Sequence, residues 1–236
     1  MSARAQFRAG AVWGVPVMRF NLTYEGLLPS AGNKPKPKAV WDVRNAIHPQ
    51  LVDLWKSHPA LYFVNENRHF PKTGGATFLQ AHHLHPTELM PLVRDKSAKV
   101  SSRGILDLCE EIAVHGRPFR PLVRENYALH CGLKILFLRH EPPGKVYQGG
   151  DIDGRIKTLL DGLAMPQHQE QVQSAPPETP SLVYCLLEDD SMISGINVES
   201  ERLWGAADHP KDFVKLTIEV DVRVKQATIY NTSFLG

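Results

Sequence analysis

Residues 214–224 read Val-Lys-Leu-Thr-Ile-Glu-Val-Asp-Val-Arg-Val. Apolar side chains fall at 214, 216, 218, 220, 222 and 224, with a polar one at every position between. Side chains of a strand alternate between its two faces. This period of two therefore marks a strand with one face on a core and one in water, as in antiparallel sheets. Residues 18–24, Met-Arg-Phe-Asn-Leu-Thr-Tyr, repeat it, with apolar residues at 18, 20, 22 and 24. Leu133–Leu138 is a nearly unbroken apolar run, which predicts a central strand buried on both faces, and the turn Pro142-Pro143-Gly144 follows. Leu182–Leu187 reads as a buried strand and Ile193–Leu203 as another.

Between these segments the period changes. Val40, Val43, Ile47, Leu51, Leu54 and Trp55 line one face of a helix, which Pro49 either kinks or divides. Over Asp151–Leu163, Ile156, Leu159, Leu160 and Leu163 form an i, i+3, i+4, i+7 stripe that predicts a helix. Ile105, Leu108, Cys109 and Ile112 predict a further helix over 103–114, ending near Gly116. Alternating Lys and Pro at 34–38 predict extended chain, and Gln167–Pro180 is a polar, proline-rich loop. The order is strand, helix, insertion, strand, helix, strand, strand, strand. It predicts an α/β (α+β) fold, a single mixed sheet with a few packed helices. No internal repeat is visible.

Composition bounds the classes. At 236 residues the chain makes one large domain or a domain with insertions. With 42% hydrophobic and 22% charged residues, wholesale disorder is excluded. No apolar run approaches a membrane span. Cys109, Cys131 and Cys185 are odd in number and lack CxxC spacing, which argues against a disulfide framework or a cysteine zinc site; buried thiols in a reducing cytoplasm are expected. Residues 1–17 carry Arg4 and Arg8 without an acid and lack a secretory apolar core. They are expected to be marginal to the fold, with Met18 as a second candidate start of translation. The net charge of +2 hides a split: residues 1–148 hold 20 Lys and Arg against 11 Asp and Glu, and residues 149–236 hold 7 against 14. A basic front attracts phosphate and an acidic back holds cations.

One constellation points to chemistry: Gly149-Gly150-Asp151-Ile152-Asp153-Gly154-Arg155-Ile156-Lys157, then Asp161, then Glu188-Asp189-Asp190. Aspartates at a helix start are favoured by capping and by the macrodipole. Asp153, Lys157 and Asp161 share one flank at i, i+4 and i+8, a spacing that also suits a surface ion pair. Three acids at the end of a strand repel one another unless a cation compensates. Hard divalent cations take oxygen ligands, and a lysine one turn along stabilises charge on a phosphoryl group.

Asp-Ile-Asp-Gly-Arg-Ile-Lys-Thr-Leu-Leu-Asp-Gly-Leu (151–163), followed by Leu-Glu-Asp-Asp-Ser-Met-Ile (187–193), resembles the core of the RusA-type Holliday-junction resolvases. That family carries an Asp-x-Asp-Asn-x-x-Lys-x-x-x-Asp-x-Leu helix and a later Asp-Asp segment entering a strand. Residues 18–24 and the loop Leu28–Asn33 resemble its first strand and loop more loosely. The resemblance implies Mg²⁺-dependent (or Mn²⁺-dependent) cleavage of branched DNA by a homodimer. It also implies metal ligands at Asp151, Asp153 and Asp190, with Asp189 as a further ligand or orienter, and a catalytic lysine at Lys157. It covers about 18–57 and 130–224. Gly154 stands where the family has Asn, and about 58–125 and 164–181 are expected insertions in a single domain over 18–236.

Lys34, Lys36, Lys38, Arg117, Arg120, Arg124 and Arg155 are candidate phosphate contacts, with Phe119 placed to stack. His69, His82, His83 and His85 lack the second ligands of a zinc site and are read as structural or surface residues. Trp204 is expected in a core or interface, and Glu199 and Glu201 along a strand edge. Two other classes remain open: a protein that binds or assembles on DNA without cutting it, and an Asp-x-Asp metal-dependent sugar-nucleotide transferase. The second leaves Lys157 and the later acids unexplained.

Overall fold

The computed structural model describes residues 18–30, 36–59, 61, 108–140, 152–205 and 208–225. In chain order the elements are β1 (Met18–Leu27), α1 (Lys36–Ser57), β2 (Ile112–Val114), β3 (Arg117–Val123), β4 (Leu129–Arg139), α2 (Ile152–Leu163), α3 (Gln169–Gln173), β5 (Val183–Leu187), a 3₁₀ turn (Asp190–Met192), β6 (Ile193–Arg202) and β7 (Phe213–Val224).

The alternating segments become strands, and the fold is α+β. β7 pairs antiparallel with β1 along one side and with β4 along the other. β4 in turn pairs parallel with β6, giving a mixed sheet in the order β1-β7-β4-β6. The expected single sheet is two sheets: β2, β3 and β5 form a second, three-stranded one. The physical reason is that β6 and β7 occupy both edges of β4, so β5 pairs with β3 instead.

Several local expectations are corrected. Ile112–Val114 is a strand, and Leu108 and Cys109 lie in a turn, so no helix runs through the described part of 103–114. Val114 pairs with Arg117 across a two-residue loop, His115-Gly116, with φ of 46° and 84°. Positive φ at both positions is the turn that matches the twist of a hairpin. Residues 112–123, expected within an insertion, are therefore built into the second sheet. α1 begins at Lys36, inside the Lys-Pro segment, because a proline in the first turn gives up only an N–H that has no helical partner. It also continues unbroken through Pro49. β4 is central in its sheet but has one wet face, with Lys134 and Leu136 exposed. The loop 167–180 contains the short helix α3.

Helices α1 and α2 pack on each other, and α1 lies against β1 and β5. Val43, Ile47, Leu51 and Trp55 of α1 join Leu159 and Leu163 of α2 and the inner residues of β1, β4 and β7 in the main core. Trp41, Phe119, Met165, Val183 and Cys185 form a smaller one. All three cysteines are buried and outside any disulfide, and burial pushes the Cys131 thiol up to about 12 and the Cys185 thiol up to about 11. Among the described residues, no helix is long and apolar enough to cross a membrane.

The helices cross closely at Gly162. A Cβ there would lie 2.6 Å from the Val43 side chain and 3.1 Å from the Val40 carbonyl oxygen. Alanine gains about 1 kcal/mol of helix propensity, but overpacking costs about 1–3 kcal/mol. Gly162→Ala is therefore expected to lower the urea midpoint. Gly195→Ala, with open space around its Cβ, is expected to change stability by less than about 0.5 kcal/mol.

Candidate active site

The candidate chemistry begins at the first turn of α2. Asp153 and Lys157 are exposed, one turn apart, on the flank expected from their spacing. The Asp153 Oδ1 accepts the Gly154 N–H at 2.8 Å. Asp161, next on that flank, is bound in an ion pair with Lys36 at 2.7 Å. The inward face differs from the apolar stripe read from the sequence. Arg155, Thr158, Leu159, Gly162 and Leu163 are buried, while Ile156 and Leu160 are partly so.

Arg155 is 1% exposed, and its Nη2 donates to Asp212 Oδ1 at 2.9 Å. The Leu28 N–H donates to the Asp212 carbonyl, and Val214 pairs with Arg139. The first turn of α2 therefore stands where β1 and β4 end and β7 begins. At the other terminus, the Arg44 guanidinium donates to the carbonyls of Asp161 and Ala164 at 2.7 and 2.8 Å, satisfying acceptors that the helix end leaves open.

The second acidic run sits elsewhere. Leu187 bridges to Ala164, the Glu188 N–H donates to the Val123 carbonyl, and Ile193 pairs with Cys131. These contacts place Asp189 and Asp190 where β4 begins. Cys131 and Arg139 are separated by about 26 Å at ~3.3 Å per residue. Asp153 and the Asp189–Asp190 pair thus lie at opposite ends of the four-stranded sheet.

The expected repulsion within Glu188-Asp189-Asp190 is relieved by backbone donors rather than by convergence on a cation. Glu188 Oε2 accepts the Glu125 N–H at 3.2 Å, and Asp189 Oδ1 accepts the Ser191 N–H at 2.9 Å. Hydrogen bonds from the Ser191 hydroxyl and backbone hold the Asp189 carboxyl below its ordinary range. A cavity of about 670 Å³ opens beside Asp189, lined by Glu125 and Glu188 but by no lysine or arginine, and its charge disfavours a phosphate.

Among the described residues no group of three or more His, Cys, Asp or Glu converges to hold a metal ion. The expected shared set is therefore not assembled from Asp153, Asp189 and Asp190, because α2 and the end of β5 deliver them to different ends of the sheet. Asp151 lies outside the described residues. Mg²⁺ is commonly held by one or two carboxylates, with waters and substrate phosphates supplying the rest. Of the expected ligands at the start of α2, only Asp153 is described, and it is exposed.

Most of the candidate phosphate contacts are spent within the fold. Arg120 donates to the Tyr184 hydroxyl at 2.6 Å and pairs with Glu111 at 3.1 Å. Arg124 donates to the carbonyls of Pro121 and Glu110. Both are buried, and each planar guanidinium meets two acceptors; Arg155, also buried, donates to Asp212. Arg117 donates to the Pro180 carbonyl at 3.2 Å and lies over Trp41. Lys36 is held by Asp161, whereas Lys38, paired with Asp42, keeps 76% of its side chain exposed. Phe119 is buried against Trp41 and cannot stack on a base. Lys34, His69, His82, His83 and His85 lie outside the described residues.

The chain was compared with models of known protein families, with curated proteins and with solved structures. No match is found in any of the three.

Two residues that matter here are placed by the tertiary structure alone. Asp212 orients the start of α2 from 57 residues away. Trp204 is 78% exposed instead of lying in a core. A carboxyl held low in the folded state adds stability above its unfolded value of about 3.9 and loses it as pH falls through its folded value. Asp189→Asn is expected to be less stable than wild type at pH 7. The difference, followed by urea unfolding, should shrink progressively below pH 4.

Proposed function

We propose that this chain is a divalent-metal-dependent endonuclease of branched or structured DNA, with its chemistry at the start of α2. The supporting observation is the exposed Asp153–Lys157 pair on the first turns of a helix whose other flank is locked in place by Arg155 and Asp212. Asp153, with Asp151 two residues before it, would hold Mg²⁺ or Mn²⁺. A bound ion there neutralises charge on a phosphodiester and makes a water more acidic. Lys157 brings an ammonium to the same side of the helix to stabilise charge on the phosphoryl oxygens. Asp189 and Asp190 have no part in this version of the site. A homodimer in the cytoplasm belongs to the same proposal.

A second function has one observation in its favour. The expected carboxylates do not converge among the described residues, which counts against cleavage and leaves a protein that binds DNA without cutting it as the second reading.

Incubation of a labelled four-way junction with Mg²⁺ or Mn²⁺ decides between them. The nuclease is expected to cut it, and chelation is expected to stop the reaction. Asp153→Asn and Lys157→Met should each lower the rate by about 10²-fold or more. Asp190→Asn should stay within a few-fold of wild type, and a loss equal to that of Asp153→Asn would return the acids after β5 to the site. Junction binding with no cleavage under any divalent cation would establish the second function.

A further inference from the structure

Trp204 is the most exposed large hydrophobic residue among those described, at 78%. It follows β6, where the Leu203 N–H donates to the Arg139 carbonyl, and it precedes Gly205, whose φ of 74° turns the chain away. The Arg202 guanidinium covers the indole, 4.7 Å from the ring centroid. A planar cation on an indole face is a favourable pairing that also holds the ring in place.

Its position relates it to α2. Arg139 has Arg202 as its partner on one side and Val214 on the other. Neighbouring strands are ~4.8 Å apart, so the ends of β6 and β7 here stand about 10 Å apart across β4. Asp212, two residues before Val214, holds the first turn of α2 through Arg155. Trp204 and the Asp153–Lys157 pair therefore share one end of the four-stranded sheet. At the start of β7, His209 stacks on Phe213 with centroids 3.9 Å apart and planes 4° from parallel. Planar groups interleaved with cations suit unpaired nucleotides, because every base has a π face and every linkage a negative charge.

A protein partner would instead want an apolar surround, with charge depleted around a central aromatic anchor. Of the described exposed residues near Trp204 in the chain, Glu201, Arg202, Asp208, His209 and Lys211 are polar or charged, and only Gly205 and Pro210 are not. We propose that Trp204, backed by Arg202, is a stacking platform for an unpaired nucleobase beside the site at the start of α2. This rests on the proposed action on DNA and specifies its substrate class as nucleic acid with an unpaired base next to the target linkage.

The test uses the full chain with chelator present, so that binding is read without turnover, and a fluorescein-labelled oligothymidine as probe. Wild type should bind it with quenching of indole emission. Trp204→Ala should bind about 5- to 150-fold more weakly, the range for losing one stacked base. Trp204→Phe should restore most of the affinity, and neither variant should change affinity for fully paired duplex to the same degree. If Trp204→Ala binds oligothymidine like wild type while divalent-dependent cleavage persists, the platform is wrong and the nuclease proposal stands. If wild type binds no DNA of any kind, both fall. A variant that changes only the sedimentation of the protein, leaving DNA binding intact, assigns Trp204 to a protein contact and overturns the platform.

Discussion

Buried guanidinium groups hold helix α2 at both ends. Arg155 lies beneath the first turn of α2 and reaches Asp212 at the start of β7. Arg44, from the middle of α1, closes the carbonyls at the last turn. A buried charge is costly unless its donors are met, and a planar fork meets several acceptors at once. With both ends tied, the rotation of α2 about its axis is set. Leu159 and Leu163 go to the core, Gly162 goes against α1, and Asp153 and Lys157 are left in water. The site proposed here is the exposed remainder of a helix whose orientation the arginines and the core decide.

The same economy accounts for the charge split along the chain. Residues 1–148 carry the basic excess, yet Arg44, Arg120, Arg124 and Arg139 of that half are buried. Arg44, Arg120 and Arg124 spend their donors on backbone carbonyls, a tyrosine hydroxyl and Glu111. In the acidic half, Glu188 and Asp189 are drawn to separate backbone N–H groups. Opposite charges in the two halves thus become internal contacts, and sequence segregation does not translate into a basic groove facing an acidic centre.

Strands are legible in this chain because a half-buried strand writes its geometry into every second residue, as 18–24 and 213–224 do. The inner face of α1 and the extent of α2 are legible for the same reason at a period of 3.6. Failures arise where one local pattern admits two structures. The apolar residues at 108, 109 and 112 suit a helix as well as a hairpin, and the His115-Gly116 turn with its pairing to β3 decides. The Lys-Pro segment suits extended chain as well as a first helical turn. In the site, Asp153 and Lys157 fall as their spacing predicts, but the acids at 189–190 do not join them, since no local pattern encodes where β5 ends relative to α2.

By itself, the sequence determines the α+β class, the amphipathic strands, the exposed flank of α2 and the burial of the cysteines, because periodicity and side-chain hydrophobicity act over a few residues. Only the tertiary structure decides that the strands form two sheets, that most of the candidate arginines are internal, that Trp204 stands in water, and that Asp153 and Asp190 lie at opposite ends of β4. Each of these depends on pairing between residues far apart in the chain. Pairing is settled by which edges and donors remain open after the rest has packed, and that competition leaves no local trace in the sequence.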